Sequence, residues 1–220
     1  MNYKILNFQQ HGDERGLLVA LEECKDIPFV VNQWWAAICG AKRMTKKYFG
    51  LLKEAGYRDD LCSYCATAFA ESLDPDDHAV DADGKPLGPW GGLPDPTLAI
   101  TRLTCDCQGK IFELFAKQHH ASFYAMENTV ARTVPLKWFE LAADDWEELY
   151  DTDRLDVAVE ELKELIRFLE MKTGRMFDIN KLEEVMELIN EQESWYKKLR
   201  DLIAVCHPVP VTVVDTINAV

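Results

Sequence analysis

Near its middle the chain reads Thr97-Leu98-Ala99-Ile100-Thr101-Arg102-Leu103-Thr104-Cys105-Asp106-Cys107. The apolar run Thr97–Leu103 predicts a β-strand, and two cysteines follow it closely. Past Gly109 the pattern predicts a helix over Lys110–Gln118 and then a second strand over Ser122–Met126. A strand, a loop, a helix and a strand in this order are typical of a parallel, right-handed unit. The segment therefore predicts an α/β fold with cysteines at the carboxyl end of a strand, where such folds place their sites.

Apolar residues at helical spacing predict further helices before this segment. One helix is expected from about Gln33 to Ala55, and a second one, running through Cys62 and Phe69, is expected with Asp59 or Asp60 as its N-cap. Residues 74–96 are rich in Asp, Gly and Pro and predict a long loop.

Two long amphipathic helices are predicted towards the end of the sequence, after a shorter one over Trp138–Tyr150. They extend from about Asp153 to Lys172 and from about Asp178 to Val205. The face that each is expected to bury is marked by apolar residues at helical spacing: Leu155, Val159, Leu162, Ile166 and Leu169 in the first, and Leu182, Val185, Leu188, Ile189, Trp195, Leu199 and Leu202 in the second.

The first part of the chain has a different pattern. Tyr3–Phe8 and Leu17–Leu21 read as short strands, and the turn-forming residues 11–16 between them predict a β-hairpin. The predicted organisation is therefore an N-terminal hairpin segment over residues 1–29 followed by an α/β lobe over residues 30–220.

Composition excludes several classes of function. The chain has 220 residues and a formal net charge of −14, which argues against nucleic-acid binding because phosphates require a positive surface. No signal peptide and no membrane-spanning run are recognisable, so a cytoplasmic location is expected. The seven cysteines are an odd number and are partly clustered, which favours reduced thiols or metal ligands over a disulfide framework.

Four of these cysteines form two close pairs, Cys62 with Cys65 and Cys105 with Cys107. Soft sulfur ligands select zinc or an iron–sulfur cluster. A helix start at Cys62 would favour a thiolate, and backbone N–H groups in the loop at Cys105 could stabilise cluster sulfurs. Two pairs could also form a four-thiolate zinc site, although C-x-C is poor spacing for a zinc knuckle. Each could equally be an ordinary buried thiol, which is the reading for Cys24, Cys39 and Cys206.

Other candidate residues have simpler explanations. His119 and His120 are expected to cap a helix end or face solvent. Five basic residues form an island in this acidic chain and could meet a phosphorylated ligand, although a solvated helix face also explains them: Lys42, Arg43, Lys46, Lys47 and Arg58. The chain contains no GxxxxGK[ST], GxSxG or HExxH motif, so no catalytic residue is assigned.

Four short motifs occur in order along the chain: Ile27-Pro28-Phe29, Gln33-Trp34-Trp35-Ala36-Ala37, Asp60-Leu61-Cys62-Ser63-Tyr64-Cys65 and Thr101-Arg102-Leu103-Thr104-Cys105-Asp106. In this order and at this separation they resemble the 2-hydroxyacyl-CoA dehydratase D-component family, which also contains the benzoyl-CoA reductase subunits. The resemblance covers roughly residues 27–220 and continues through Lys110-Ile111-Phe112-Glu113 and the two long helices.

The resemblance implies a Rossmann-like lobe that shares a 4Fe-4S cluster held by three cysteines, with one iron left open. Cys62 and Cys105 are then the expected ligands, with Cys65 and Cys107 as further thiols nearby. It also implies a related second subunit in a heterodimer, an ATP-dependent iron–sulfur activator and an acyl-CoA substrate. The implied reaction is ketyl-radical dehydration of a 2-hydroxyacyl-CoA thioester, or reduction of an aromatic ring in the reductases, and the sequence does not separate the two.

The chain departs from the family in two respects. Members are longer and take their third ligand from a second lobe, so the lobe is expected to be truncated, with Cys206, Cys65 or Cys107 as substitutes. Residues 1–29 resemble instead the opening of the nucleotide-sugar 3,4-ketoisomerases, which are cupins, through Asn7-Phe8, Asp13, Arg15-Gly16 and Ile27-Pro28-Phe29. The histidine-rich segment that follows in those enzymes is missing here, which argues against isomerase activity and indicates a join near Asp26–Phe29.

A non-enzymatic alternative remains open from the sequence. The chain could be a zinc-binding or thiol-only interaction domain that acts through its long helices. Such a domain would contain no iron, whereas the dehydratase reading requires it.

Overall fold

A computed structural model describes residues 5–7, 29–58, 60–76, 78–104, 106–127, 136–138, 140, 149 and 152–211. Contacts divide the chain into two compact units, one formed by Met1–Gln9 with Asp26–Thr173 and the other by Gln10–Lys25 with Gly174–Val220. The first unit holds the sheet and five of the described helices, and the second holds the last helix.

The first unit is built on a four-stranded parallel sheet. Its strands are β1 (Ile5–Asn7), β2 (Phe29–Val31), β3 (Leu98–Arg102) and β4 (Ser122–Met126), in the spatial order β2-β1-β3-β4. Leu98 of β3 lies opposite Ile5 of β1 on one side and Ser122 of β4 on the other. The mixed α/β class, the parallel sheet and both predicted central strands are therefore confirmed.

The prediction that β1 is the first strand of an N-terminal β-hairpin is wrong. Ile5–Asn7 does form a strand, but it pairs in parallel with β2 on one edge and with β3 on the other. Because both edges are occupied by parallel neighbours, no antiparallel hairpin partner can pair with these three residues. The second predicted arm, Leu17–Leu21, lies outside the described residues, and the domain boundary near residue 29 stays a prediction.

Three helices precede β3: α1 (Asn32–Ala41), α2 (Thr45–Glu54) and α3 (Ser63–Glu71). The single helix predicted over 33–55 is wrong, because the chain turns between α1 and α2. Arg43 adopts a left-handed φ of 58°, its N–H donates to the Gly40 carbonyl at 3.0 Å, and the Met44 N–H donates to the Cys39 carbonyl at 2.9 Å. This pair of bonds is a Schellman motif, which usually has Gly at the left-handed position. Because Arg and not Gly occupies this left-handed position, the sequence contains no signal that predicts the end of α1.

The core of the first unit lies between these helices, β3 and α4 (Asp106–Gln118). Trp35 and Tyr48 make an edge-on ring contact at 5.0 Å, and Phe112 and Phe115 of α4 are also buried there. Four successive β3 residues, Leu98 to Thr101, are all buried, so both faces of this strand are covered, as is typical of parallel sheets.

Helix α5 (Thr152–Thr173) packs against β4. The rings of Tyr124 and Phe168 are 5.0 Å apart, and Leu165 and Leu169 are fully buried. The predicted buried face is only partly right, because Val159 is 45% exposed whereas Leu165, which was not predicted, is buried. The helix meets the sheet along a narrower stripe than its apolar periodicity indicates.

Helix α6 (Ile179–Val205) lies in the second unit. Its N-cap is Asp178, whose side chain accepts a hydrogen bond from the Asn180 N–H at 2.9 Å. The bounds were predicted within one residue, but the expectation that its apolar stripe is buried is wrong. Within the described part of the chain no residue of α6 is buried, and Trp195 is 60% exposed.

The loop predicted over residues 74–96 contains a short 3-10 turn at Pro89–Gly91, whose Pro89 carbonyl accepts a hydrogen bond from Trp35 Nε1 at 3.2 Å. The helix predicted over Trp138–Tyr150 falls mostly outside the described residues. Among the helices that the structure describes, none combines the length and the apolar composition that a membrane span requires.

Candidate functional site

The strand order defines a crevice at one edge of the sheet. The chain passes from β1 to β2 on one side and later returns to β3 on the other side of β1. In open α/β sheets the point where the order reverses leaves a crevice outside the carboxyl ends of the two strands, and ligands bind there. The segment that follows β3, with its two cysteines, therefore leaves the sheet at the position where this architecture places a site.

Three hydrogen bonds hold the chain as it leaves β3. The Leu103 N–H donates to the Met126 carbonyl at 2.8 Å, and the Thr104 N–H donates to the Arg102 carbonyl at 2.8 Å. The Thr104 hydroxyl donates to Gln108 Oε1 at 2.9 Å, which ties the loop to the first turn of α4. Gln108 is only 2% exposed, so this bond anchors an exposed loop residue to a buried amide.

Of the two cysteines in this segment, the structure describes Cys107. Cys105 lies outside the described residues, between the exposed Thr104 and Asp106. Cys107 is half-buried in the first turn of α4 and packs against the core. The helix starts at Asp106, four residues earlier than predicted, so Cys107 is a helical residue and not a loop residue.

Cys62 is an exposed thiol at the N-cap of α3. Its carbonyl accepts the Ala66 N–H at 2.9 Å, and its side chain makes no capping hydrogen bond. The helix begins at Ser63 with Cys62 as its N-cap, so the start predicted from a cap at Asp59 or Asp60 is wrong by two or three residues. Asp60 pairs with Arg58, and that hydrogen bond lowers the pKa of the Asp60 carboxyl.

Cys65 and Cys39 belong to the core. Cys65 is 1% exposed on α3, one helical turn from Cys62 and on the buried face. Cys39 on α1 is fully buried, and burial, together with the nearby Glu71 carboxylate, raises its thiol pKa to about 12. The prediction that Cys39 is a core residue is confirmed. Cys206 is half-buried at the C-cap of α6, and Cys24 lies outside the described residues.

Within the described ranges no three His, Cys, Asp or Glu side chains lie close enough together to hold a metal ion. Because Cys105 is not among those residues, this result does not test the pairing of Cys62 with Cys105. Both remain predicted ligands, as do the additional thiols Cys65 and Cys107.

The predicted histidines at the end of α4 have a packing role. The His119 ring lies 4.6 Å from the Phe115 ring, and its Nδ1 is 3.0 Å from an Asp95 carboxylate oxygen. His120 follows in a left-handed conformation with φ 54° and is exposed.

Sequence reasoning missed a groove of about 270 Å³ between α1 and α3. Its lining combines small residues with hydroxyl side chains: Ala36, Ala37, Gly40, Ala41, Thr45, Ser63, Tyr64 and Thr67. The only signal in the sequence is the pair of small residues repeated four positions apart on α1, which lie on one helix face.

A comparison with protein families assigns this chain. A family model described as 2-hydroxyglutaryl-CoA dehydratase, D-component, matches residues 28–220. No curated protein matches the chain. The matched range includes β2, β3, β4 and all six described helices, whereas the central strand β1 precedes it.

Proposed function

We propose that this chain, which belongs to the 2-hydroxyglutaryl-CoA dehydratase D-component family, acts as a subunit of a 2-hydroxyacyl-CoA dehydratase. The observation that carries the proposal is the family match over most of the chain, together with an exposed thiol at Cys62. The reaction is removal of water from a 2-hydroxyacyl-CoA thioester through a ketyl radical of the substrate, after one-electron activation.

The architecture of the first unit supports a Rossmann-like lobe. The order β2-β1-β3-β4 with all strands parallel is the first part of a doubly wound arrangement that reverses between β1 and β3. The segment that carries Cys105 and Cys107 follows directly from the reversal point. This placement supports a cofactor site beyond the carboxyl ends of β1 and β3.

The cysteines that the structure describes differ in how well they suit an iron–sulfur cluster. Cys62 fits, because its thiol is exposed and takes no part in helix capping. Cys65 fits poorly, because it is 1% exposed among core residues. We therefore propose Cys62 and Cys105 as ligands of a 4Fe-4S cluster, with Cys107 as the neighbouring thiol. When bound, such a cluster would supply an open iron that acts as a Lewis acid on an oxygen.

The polypeptide contributes rigidity to this site. The bonds from Leu103 to β4 and from Thr104 to Gln108 restrain described residues that flank Cys105. Flanking residues that are already restrained lose less entropy when a cofactor binds beside them.

The partners follow from the family as proposals. A D-component is one component of a multi-subunit enzyme that acts on an acyl-CoA. We propose that a related second subunit pairs with this chain to complete the site, and that a separate ATP-dependent iron–sulfur protein delivers the electron.

The test is anaerobic purification followed by an absorption spectrum and analysis of iron, sulfide and zinc. The proposal expects a brown protein with iron and sulfide in equal amounts, and expects Cys62→Ala to lose most of that iron. Cys39→Ala is the matched control, because it removes a thiol from the core and should leave the iron content unchanged.

Two results would contradict the assignment. Unchanged iron in Cys62→Ala would remove Cys62 from the ligand set. A colourless protein that contains zinc would instead support the non-enzymatic domain with a structural thiolate site.

A further inference from the structure

Helix α6 carries a regular column of exposed apolar side chains. Leu188, Trp195 and Leu202 recur every seven residues and are 65%, 60% and 50% exposed. Val185 and Leu199, each three residues before a member of this column, are half-buried. Apolar residues at alternating spacings of three and four form the a and d positions of a heptad repeat, which is the pattern of a helix that packs against another helix.

A neighbouring column on the same helix is better covered. Leu182, Ile189, Tyr196 and Ile203 also recur every seven residues, and each of them is half-buried. The chain itself therefore shields this column more than the one that contains Trp195. The exposed column is the apolar surface of α6 that is left for a partner.

The charges of α6 are divided between its two ends. Residues 179–191 contain four Glu and one Lys, whereas residues 197–205 contain three cations and one Asp. A second copy of α6 that runs antiparallel to the first places the acidic end of each helix beside the basic end of the other. Parallel pairing would instead place like charges together. The helix is thus complementary to itself in the antiparallel orientation.

Antiparallel pairing also matches the apolar positions. In this orientation the a positions of one helix lie opposite the d positions of the other, since the two sequences run in opposite directions. When Val185 is aligned with Leu202 of the second copy, Leu188 is aligned with Leu199 of that copy. The four outer layers of such a pair are therefore entirely apolar.

The two central layers combine Trp195 with Gln192 of the second copy. Gln192 Nε2 donates to the Tyr196 hydroxyl of its own helix at 3.0 Å, so its Oε1 is the atom that can accept a hydrogen bond from an indole N–H. A buried indole usually finds such an acceptor. A single polar residue at an a position also fixes the register of a coiled coil, because other alignments leave it facing apolar residues.

The same alignment places Lys198 beside Glu191 of the second copy, and symmetry repeats this pair on the other side of the centre. Lys198 Nζ lies 3.9 Å from the centre of the Trp195 ring, so the ammonium group is already at the edge of the apolar column. Within the described part of the chain neither Glu191 nor Lys198 forms an ion pair, whereas Lys181 pairs with Glu184. Both charges are therefore available to a second copy.

From these observations we propose that α6 is a self-association surface, on which a second copy of this chain binds as an antiparallel coiled coil over residues 185–202. Such a contact is isologous, because the same patch is used on both copies. It spans about 27 Å at roughly 1.5 Å per residue. Small interfaces of this kind are transient, so we expect a concentration-dependent dimer. The surface and its test do not depend on the iron–sulfur proposal.

The experiment is sedimentation equilibrium of the full chain over a series of concentrations, under reducing conditions that keep Cys206 from forming a disulfide between copies. The wild type should show a monomer–dimer equilibrium. Trp195→Ala should raise the dissociation constant by roughly thirtyfold, as expected for a Trp at the centre of an interface. The variant should fold, because this side chain is largely exposed.

Charge reversal tests the orientation. Lys198→Glu turns both attractive pairs into repulsive ones and should raise the dissociation constant about tenfold. Adding Glu191→Lys to this variant restores opposite charges at both pairs and should return the constant close to that of the wild type. Lys197→Glu is the matched control, because it makes the same charge change on the adjacent residue, opposite the apolar column, and should have little effect.

A wild-type chain that stays monomeric throughout the concentration series would overturn the proposal. So would an unchanged dissociation constant in Trp195→Ala, since association would then occur elsewhere. Equal effects of Lys198→Glu and Lys197→Glu, or a double variant that dimerises no better than Lys198→Glu, would contradict the antiparallel pairing.

Discussion

Replacement of Cys39 by Ala should change how the stability of the protein depends on alkaline pH. The thiol is fully buried, and its pKa rises from 9.0 to about 12, first because of burial and then because of Glu71, against smaller opposing contributions from Lys42 and Lys47. The thiol of the unfolded chain therefore releases its proton at a lower pH than the folded one. Stability from the neutral thiol is fully present below about pH 9 and is lost as the pH rises towards 12.

The magnitude follows from the two pKa values. At pH 10 the pH is one unit above the pKa of the unfolded thiol, while the folded thiol is still protonated. The free energy of unfolding of the wild type is therefore about 1.4 kcal/mol lower at pH 10 than at pH 8. Cys39→Ala removes this pH-dependent loss of stability. Removal of the buried sulfur, however, lowers the free energy of unfolding by about 1 kcal/mol at both pH values. The variant should thus be less stable than wild type at pH 8 and close to it, or slightly more stable, at pH 10.

The assay is urea unfolding under anaerobic, reducing conditions at pH 8 and pH 10, compared as free energies of unfolding. Ile111→Val is a suitable control, because Ile111 is also buried and a cavity without a titrating group should cost the same at both pH values. Equal pH dependence in Cys39→Ala and the wild type would refute the reasoning and show that Cys39 is accessible to solvent or bound to a metal.

Two further predictions concern the surface. Glu113 accepts hydrogen bonds from Lys110 and Lys117, which lower its pKa to about 2, so its stabilising contribution is present above pH 4.5 and is lost as the pH falls towards 2. Glu113→Gln should therefore flatten the acid side of the stability profile measured by thermal unfolding, and an unchanged profile would show that the pairs do not form in solution. Asp178→Ala removes the side-chain cap of α6 and should cost about 1 kcal/mol in urea unfolding, whereas Asp178→Asn should retain most of it. Equal losses in both variants would count against the cap.

The chemistry of the site was only partly readable from the sequence. The spacing of Cys62 and Cys65 places both near a helix start, but it cannot say which of them is buried. The structure separates them, because Cys62 is the exposed, non-helical N-cap of α3 whereas Cys65 lies within the helix and packs into the core. The groove was missed since its lining residues come from three helices, and their meeting depends on packing that no local pattern encodes.

Local periodicity and motif order alone predicted the parallel α/β class, the strands on either side of α4, the bounds of the long helices and the family. These features depend on residues that are close in sequence, where alternation and helical spacing are physical constraints on the chain itself. Only the tertiary structure could place β1 between β2 and β3, end α1 at Ala41 ahead of the left-handed Arg43, and show which face of α5 meets the sheet. Strand order and buried faces depend on contacts between distant residues, and their free energy comes from the assembled core and not from any one segment.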